Sequence, residues 1–510
     1  MGVTMRIHPL TGEAIGAVAA KQAVRPQLYQ MQGTPAKRHA DIKATYDAAR
    51  DSDEFKNYWA NADALDADSA NSRTVRHKLV TRSRYEVGSN GYTDGIVQTH
   101  ANYLVGIGPS LRMESGTEGF NRAVEYAWKT WSKATLFRRK LWAMAHAKVQ
   151  DGEAIAVVRN NPRVNHPVQI DVVPIETEQC QTPMLPYSVD GYIDGIKFDE
   201  FGNPEYYDIL RYHPGGQVTH NMAGIYGQPE QVPARFILHW FKQRRPGQHR
   251  GIPEMKSTLN VGASSRRWRE ATVGSAETAA EFSMFIKTAF QPEEVDQVAS
   301  MSTLDIQKRM MTALPMGWDP FQMKAEHPNA SYEAFHTAQI NEQARPLNMP
   351  LNIAKSDSSG YNYASGRLDH QTYFSAIDVD REDGNDLVLD QLFSLWWFEA
   401  VYAYGWNSGP NSPPPHSWNW PEHPVADRVS EAQANDIELK NGSTDLPQIH
   451  ANKGGDFNDT ITRMAESYGV DEAKLKEALF NSIFNAQNQQ AGMKQVEAQL
   501  ANSKGSTANG

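Results

Sequence analysis

A single cysteine, Cys180, stands in a chain of 510 residues. That excludes an internal disulfide and any cysteine-cluster metal centre, and it fits synthesis in a reducing cytoplasm. Long apolar runs are missing as well: none approaches the roughly 18 residues that a membrane span needs. The N-terminus MGVTMRIHPLTGEAIGAVAAKQAVRP has a short Ala-rich stretch but no apolar core of a signal peptide. An excess of positive charge is missing too, with 50 Lys and Arg against 60 Asp and Glu and a net charge of −10. Tight nucleic-acid binders are basic, because neutralising phosphates supplies most of their affinity, so this chain as a whole does not grip DNA. The acidity leaves two readings open: an ordinary soluble protein, or an acidic wall along which a duplex slides.

Catalytic signatures are also absent. There is no GxxxxGK[ST] phosphate loop, no HExxH, no GxSxG and no CxxC, and no cofactor, metal or enzymatic activity is expected. Asp378-Val-Asp-Arg-Glu-Asp-Gly384 resembles a calcium loop superficially. Its glycine falls one place late, and Leu389 stands where the bidentate glutamate belongs, so the segment reads as a solvated helix face. The sixteen histidines are scattered; His327, His336, His370, His416 and His423 lack ligand spacing and read as surface or structural residues. Ser356, Ser358 and Ser359 lie near Asp357 and His370 in sequence, which leaves a serine hydrolase as a weak alternative.

What is present is ordered in blocks. Residues 1–40 are polar and proline-punctuated, a flexible arm. From Asp41 to Ser83 apolar positions recur at helical spacing, as in Tyr46, Phe55, Trp59 and Leu65. Gly91–Val105 reads as an amphipathic helix ended by Gly106-Ile-Gly-Pro109, and 118–149 as a helical stretch rich in Trp and Ala. Strands are expected at 152–159, 169–173, 195–198, 206–212 and 235–241, with turns at Asp190-Gly191 and Phe201-Gly-Asn-Pro204.

A long helix is announced after Pro246-Gly247, with Pro253 suited to its first position. Its small residues, among them Gly262, Gly274, Ala276 and Ala279, predict close packing against other helices. Arg266, Arg267 and Arg269 form a basic cluster there; Arg266 and Glu270 are spaced i,i+4, so pairing within the helix or between subunits is expected. Residues 289–330 set Met310, Met311, Met316 and Met323 beside Pro315, Pro320 and Pro328, suiting an irregular core or an adaptable surface. Helix returns at 331–347, followed by the polar stretch Pro350–Gly360. From about Tyr363 to Tyr404 a helix without proline would span on the order of 60 Å, with Gly366 and Gly384 as its weak points. A Pro/Trp connector (407–424), a small helical region to Gln487 and a tail too polar to fold alone complete the chain.

Several segments together resemble the lambda-type family of phage portal proteins. They are Arg82-Ser-Arg84; Asn90-Gly-Tyr-Thr-Asp-Gly95-Ile-Val; Asn102-Tyr-Leu-Val-Gly106-Ile-Gly108; Asp151-Gly-Glu-Ala154; Arg245-Pro-Gly-Gln-His-Arg250-Gly-Ile-Pro253; and Asn362-Tyr-Ala-Ser-Gly-Arg367. Trp420-Pro421, Asp427 and Glu431-Ala432 match the family's C-terminal pattern only partly. The resemblance covers roughly residues 40–465 and lies in the order and spacing of the segments rather than in any one of them.

It implies an α+β, elongated portal-type subunit: a flexible arm (1–40), a helical then β-rich wing region (41–250), a stem helix (251–288), a clip (289–330), a return stem helix and channel loop (331–362), a long wing helix (363–406), a helical C-terminal crown (407–487) and a disordered tail (488–510). It further implies a non-enzymatic ring, usually of twelve copies, at one capsid vertex of the virion. Its partners would be double-stranded DNA passing during packaging and ejection, the terminase large subunit, major capsid and scaffolding proteins and a head–tail adaptor, with no membrane. Within that scheme Lys355, Ser356, Asp357, Ser358 and Ser359 would form the DNA-channel loop, and Gly262, Gly274, Ala276 and Ala279 would pack the stem between subunits. A head or baseplate protein without a DNA channel is the other structural reading.

Overall fold

The computed structural model describes residues 57–182, 191–216, 229–281, 285–288, 318–321, 332–406, 412–424, 428–453 and 457–484, with the short strands β1 (Arg6–Ile7) and β2 (Ala14–Ile15). The chain divides into two units, Met1–Ala64 and Leu65–Gly510. In the first, β1 and β2 pair antiparallel. Trp59 lies there in a turn, 61% exposed, rather than on the expected helix; Tyr46 and Phe55 fall outside the described residues. Helical spacing alone does not make a helix where the apolar residues have nothing to bury against.

The second unit begins with α1 (Ala67–Ala70), α2 (Arg73–Ser89) and α3 (Gly91–Val105). The α3 boundaries are those the sequence predicts: the Asn90 side chain accepts from the Tyr92 amide, and Gly106, at a φ of 53°, closes the last turn. After β3 (Ser110–Met113), the stretch 118–149 is two helices, α4 (Glu118–Ala134) and α5 (Phe137–Gln150). The break is at Thr135-Leu136, with Leu136 at a φ of 54° and the Thr135 hydroxyl donating to the Trp131 carbonyl. Turning the chain here lets Trp128 and Trp131 of α4 meet Phe137 of α5 in one core, which a single straight helix would prevent.

The β region resolves into two sheets. In the first, β4 (Glu153–Asn160) is central, flanked by β5 (Ile170–Ile175) and β10 (Ile237–Phe241). Residues 153–158 are buried on both faces. Ala154, Ala156 and Val158 point to the main core, while Ile155 and Val157 face a smaller cluster with Cys180, Tyr207 and Ile209, as a period of two requires. The second sheet is β6 (Tyr192–Ile193), β7 (Ile196–Phe198), β8 (Pro204–Ile209) and β9 (Glu230–Pro233) in sequential order.

Next come α6 (Leu259–Glu281), the antiparallel pair β11 (Phe285–Thr288) and β12 (Trp318–Phe321), α7 (Tyr332–Ala344) and α8 (Leu351–Lys355). Most of 289–330, with its methionines, lies outside the described residues. The helix without proline runs unbroken as α9 (Tyr363–Gly384), a π-helical turn (Asn385–Leu389) and α10 (Asp390–Tyr404). Gly384 ends α9 where the ladder widens, and a Cβ there would meet the Trp240 ring at 3.1 Å. The Pro/Trp connector supplies β13 (His416–Asn419), which pairs antiparallel with the distant β3 and brings Trp418 within 5.2 Å of Trp128. Four helices follow: α11 (Arg428–Asn441), α12 (Leu446–Asn452), α13 (Phe457–Tyr468) and α14 (Glu472–Phe484).

Candidate functional site at the Gly152–Gly251 crossing

Two of the segments singled out by resemblance, Asp151–Ala154 and Arg245–Pro253, meet in one place, and Arg84 of a third reaches it. Gly152, at a φ of 93°, enters β4 just where the chain leading to α6 passes it, and Gly251 lies against the Gly152 carbonyl. A Cβ on either glycine would overlap backbone of the other segment, so only two glycines permit this crossing.

A buried ion-pair cluster sits on it. Glu153 takes Arg250 at 2.6 Å, the Gly251 amide at 2.7 Å and His239 Nε2 at 3.2 Å, with the Thr177 hydroxyl also donating. Arg250, 1% exposed, further donates to the Cys180 and Asp194 carbonyls. Arg76 pairs with Asp194. Burial opposes the Glu153 charge, but attraction to Arg250 and hydrogen bonds from His239 and Arg250 hold its carboxyl well below the usual range. Cys180 beside it is inert, its thiol pushed up to about 11 chiefly by burial.

A second cluster ties the approach to α6 to the long helix. Lys148 on α5 meets Glu254 at 2.8 Å and Asp380 at 3.2 Å; Asp380 also takes Lys242 at 2.8 Å and lies 3.5 Å from His100. Burial penalises the Asp380 charge, yet a hydrogen bond from His100 and the two lysines depress its pKa strongly. Asp380 is therefore buried, and the expected solvated face at 378–384 is corrected at this position. Sequence reasoning missed both Lys148 and Asp380, although a signal existed. Lys148 falls on the buried stripe Leu141-Met144-Ala145-Lys148-Val149 and Asp380 on Tyr373-Ile377-Asp380-Gly384, and a charge on a buried stripe calls for a partner. Arg84 completes the junction, gripping Asp151 at 2.8 and 2.7 Å and reaching Glu176 and Glu178 at 3.0 Å.

The α6 root is seated within the chain. Gly262 is buried, and a Cβ on it would stand 3.5–3.6 Å from Gln343, Glu86 and Thr93. Arg266 pairs with Glu86 of α2 at 2.7 Å, not with Glu270, because the two helices lie side by side; Arg269 donates to Asn90 at 3.0 Å. Further along, a Cβ on Gly274 would meet nothing within 4 Å, Ala276 is half-buried, and Val273 is 57% exposed. The Ala279 side chain lies outside the described residues.

Lys355 closes α8 rather than opening a loop, and it reaches Glu333 and Asp357 at 3.3 Å each. Ser356 follows in a left-handed conformation (φ 55°), and Ser358 and Ser359 lead to Gly360 on the surface. Asp357 is held at about 2 by hydrogen bonds from Ser359 and Lys355. His370 faces Asn352 Nδ2 at 2.9 Å, and among the described residues no hydrogen bond joins it to the serines. Asn362 caps α9 by accepting from the Ser365 amide at 2.9 Å.

The junction makes a pH prediction. His146, His166, His239, His336 and His423 all have lowered pKa values, with burial as the leading cause. The unfolded chain then takes protons first as pH falls through about 6.5, so histidine-linked stability is present above that pH and declines below it. Calorimetry should show a lower Tm at pH 5.5 than at pH 7.5, with a shallower slope in His239→Gln; a flat profile would contradict this.

The two crossing segments are thus tied together by buried ion pairs at the point where the chain passes from the sheet towards α6. The family model described as phage portal protein, lambda family, matches residues 56–381, and the chain belongs to that family: it is a phage portal protein. No curated protein matches the sequence. The fold is similar to chains in solved structures of gene transfer agent particles. These are the virion of the native particle (12% identity, TM-score 0.37), the neck of the native particle computed with C12 symmetry (14%, 0.37) and the neck of the empty particle computed with C6 symmetry (13%, 0.40). In each case the match covers 74% of this chain and 93% of the other. The family assignment rests on the match over 56–381, not on these likenesses.

Proposed function

We propose that the subunit forms a closed ring, of about twelve copies by family resemblance, at one capsid vertex of the virion. The ring is the conduit for double-stranded DNA in packaging and ejection, and it acts mechanically, not as an enzyme. Its docking partners are the terminase large subunit, the capsid and scaffolding proteins and the head–tail adaptor. In this reading 251–288 is the stem helix, 289–330 the clip, 331–362 the return helix and channel loop, 363–406 the wing helix and 407–487 the crown.

The observation that carries the reading is the division of α6. Its root is locked to α2 and α7 of its own chain, while Arg267, Glu270, Ala271, Val273, Ser275 and Glu277 further along are exposed and offer a face to a neighbouring copy. A head-to-tail contact of that kind closes into a ring when its rotation permits. Lys355, at the end of α8, pairs with Asp357 of the channel loop and with Glu333, which suits brief, salt-sensitive phosphate contact rather than firm holding.

Negative-stain microscopy of purified protein tests this directly: rings with an axial pore are expected, and only monomers at high concentration would overturn it. Gly274→Leu should fold normally yet fail to form rings, whereas Gly262→Leu should already destabilise the monomer by about 1–3 kcal/mol through overpacking. Lys355→Ala should leave rings intact and reduce DNA per particle in assembled capsids.

A further inference from the structure

We propose that the exposed faces of α2 and α9 are the two halves of one contact, the basic α2 of each subunit docking on the acidic α9 of a second copy. The contact belongs to the ring proposed above and rests on that reading. Charge and spacing both point to it.

Along α2, Val80, Ser83 and Val87 turn inward, and Lys78 and Arg82 are exposed one turn apart. Glu86 is the one carboxylate of α2, and it is buried and paired with Arg266. Among the described residues no carboxylate pairs with Lys78 or Arg82. On α9 the sign is opposite. Tyr373, Ile377 and Asp380 turn inward, while Asp378, Glu382 and, in the π-helical turn, Asp386 are exposed at intervals of four. Arg381, the cation among them, is buried and donates to the Leu104 and Tyr103 carbonyls. Asp378 meets His423 at 2.8 Å and Arg381 at 3.6 Å; among the described residues no cation pairs with Glu382 or Asp386.

The spacing makes a stripe on each helix. Val75, Lys78, Arg82 and Tyr85 follow one another at intervals of three and four, and so do Leu368, Gln371, Ser375, Asp378 and Glu382; all of them are exposed. Such a stripe is what one helix offers another. Apolar side chains accompany the charges on both: Val75 and Tyr85 are 41% and 59% exposed beside the cations, Leu368 and Val379 66% and 57% beside the acids. They give a helix contact area, and the charges give it register. Among the described residues no ion pair joins the two stripes within the chain, so each copy keeps one stripe of either sign for its neighbours. A contact between unlike surfaces is head-to-tail and closes into a ring when its rotation permits. Exposed ion pairs add little affinity singly and are screened by salt, so their part is to select partner and register.

The test is charge reversal in the full chain. Lys78→Glu/Arg82→Glu and Glu382→Lys/Asp386→Lys change only exposed side chains, so each double variant should fold with a Tm close to the parent's. Each alone should raise the protein concentration needed for half-assembly at least tenfold, read by analytical ultracentrifugation and negative-stain microscopy. An equimolar mixture of the two should form rings of alternating copies, because every α2 then meets an α9 of opposite charge. The chain carrying all four changes should form rings unaided for the same reason. Unchanged assembly in either double variant overturns the proposal while the ring reading stands. Loss of rings that neither the mixture nor the fourfold variant restores does the same. Intact rings that retain less DNA in Lys78→Glu/Arg82→Glu would assign the α2 face to DNA and overturn it likewise. A parent chain that stays monomeric overturns the ring reading itself, and this contact with it.

Discussion

Replacing Arg250 by methionine is expected to cost about 3–5 kcal/mol of folding stability, the range seen when one partner of a buried ion pair is removed. Glu153 would remain in the interior facing His239, Thr177 and the Gly251 amide without its closest cation, and the Cys180 and Thr177 carbonyls would lose a donor. That is a large share of the roughly 5–15 kcal/mol by which a folded protein is usually stable. Removing both charges should be milder: Arg250→Met with Glu153→Gln should recover part of the loss, because no bare charge is left buried. Urea denaturation measures both values. Cys180 gives an independent readout, since a fully buried thiol with a raised pKa reacts only when the structure opens; thiol labelling should be faster in the single variant than in the double. A single variant within about 1 kcal/mol of wild type would mean that the pair does not secure the crossing.

What could be read from the sequence was local. Asn90 and Gly106 bracket α3, the short apolar run Ala154–Val158 marks β4, and the lack of proline marks the run from α9 to α10. Each of these depends on residues a few positions apart. The pairing of β3 with β13 was not legible, because it joins Leu111 to Trp418 across the chain and neither strand carries a strong pattern of its own. The partner of Arg266 was misjudged for the same reason: Glu270 is near in sequence, but Glu86 is near in space. The Thr135-Leu136 break hides within a periodic stretch because its cause is the shared core of Trp128, Trp131 and Phe137, not a breaker residue. The family-like segments located the junction without revealing its chemistry. Asp151-Gly-Glu and Arg250-Gly-Ile-Pro read separately as turns, and only folded together are they an ion pair and a backbone crossing. For the candidate site, Gly262 was legible as a close-packing position, but the partner it meets belongs to its own chain. Lys355 was placed in a loop, since the five-residue α8 has no amphipathic period long enough to announce it.

The second large effect is expected from a single methyl group. Gly251→Ala would drive a Cβ into the Gly152 carbonyl and the Glu153 Cβ, and Gly152→Ala would drive one into the Ile252–Pro253 backbone while also holding an alanine at a φ of 93°. In both variants the obstacle includes main chain, so no side-chain rotamer can relieve it. Overpacking of about 1–3 kcal/mol and, for Gly152, backbone strain of about 1–3 kcal/mol act together. Both variants should therefore lose on the order of 3 kcal/mol or more, with a low soluble yield. Gly88→Ala is the internal control. It lies within α2, its Cβ would meet nothing within 4 Å, and alanine there should raise stability by about 0.5–1 kcal/mol through helix propensity. Because the crossing sets the direction in which α6 leaves the sheet, a Gly251→Ala chain that does fold should form fewer or irregular rings, while Gly88→Ala should assemble as the parent does. Normal Tm and normal rings in Gly251→Ala would show that the two segments do not pass at the distance described, and the junction would then owe its geometry to the ion pairs alone.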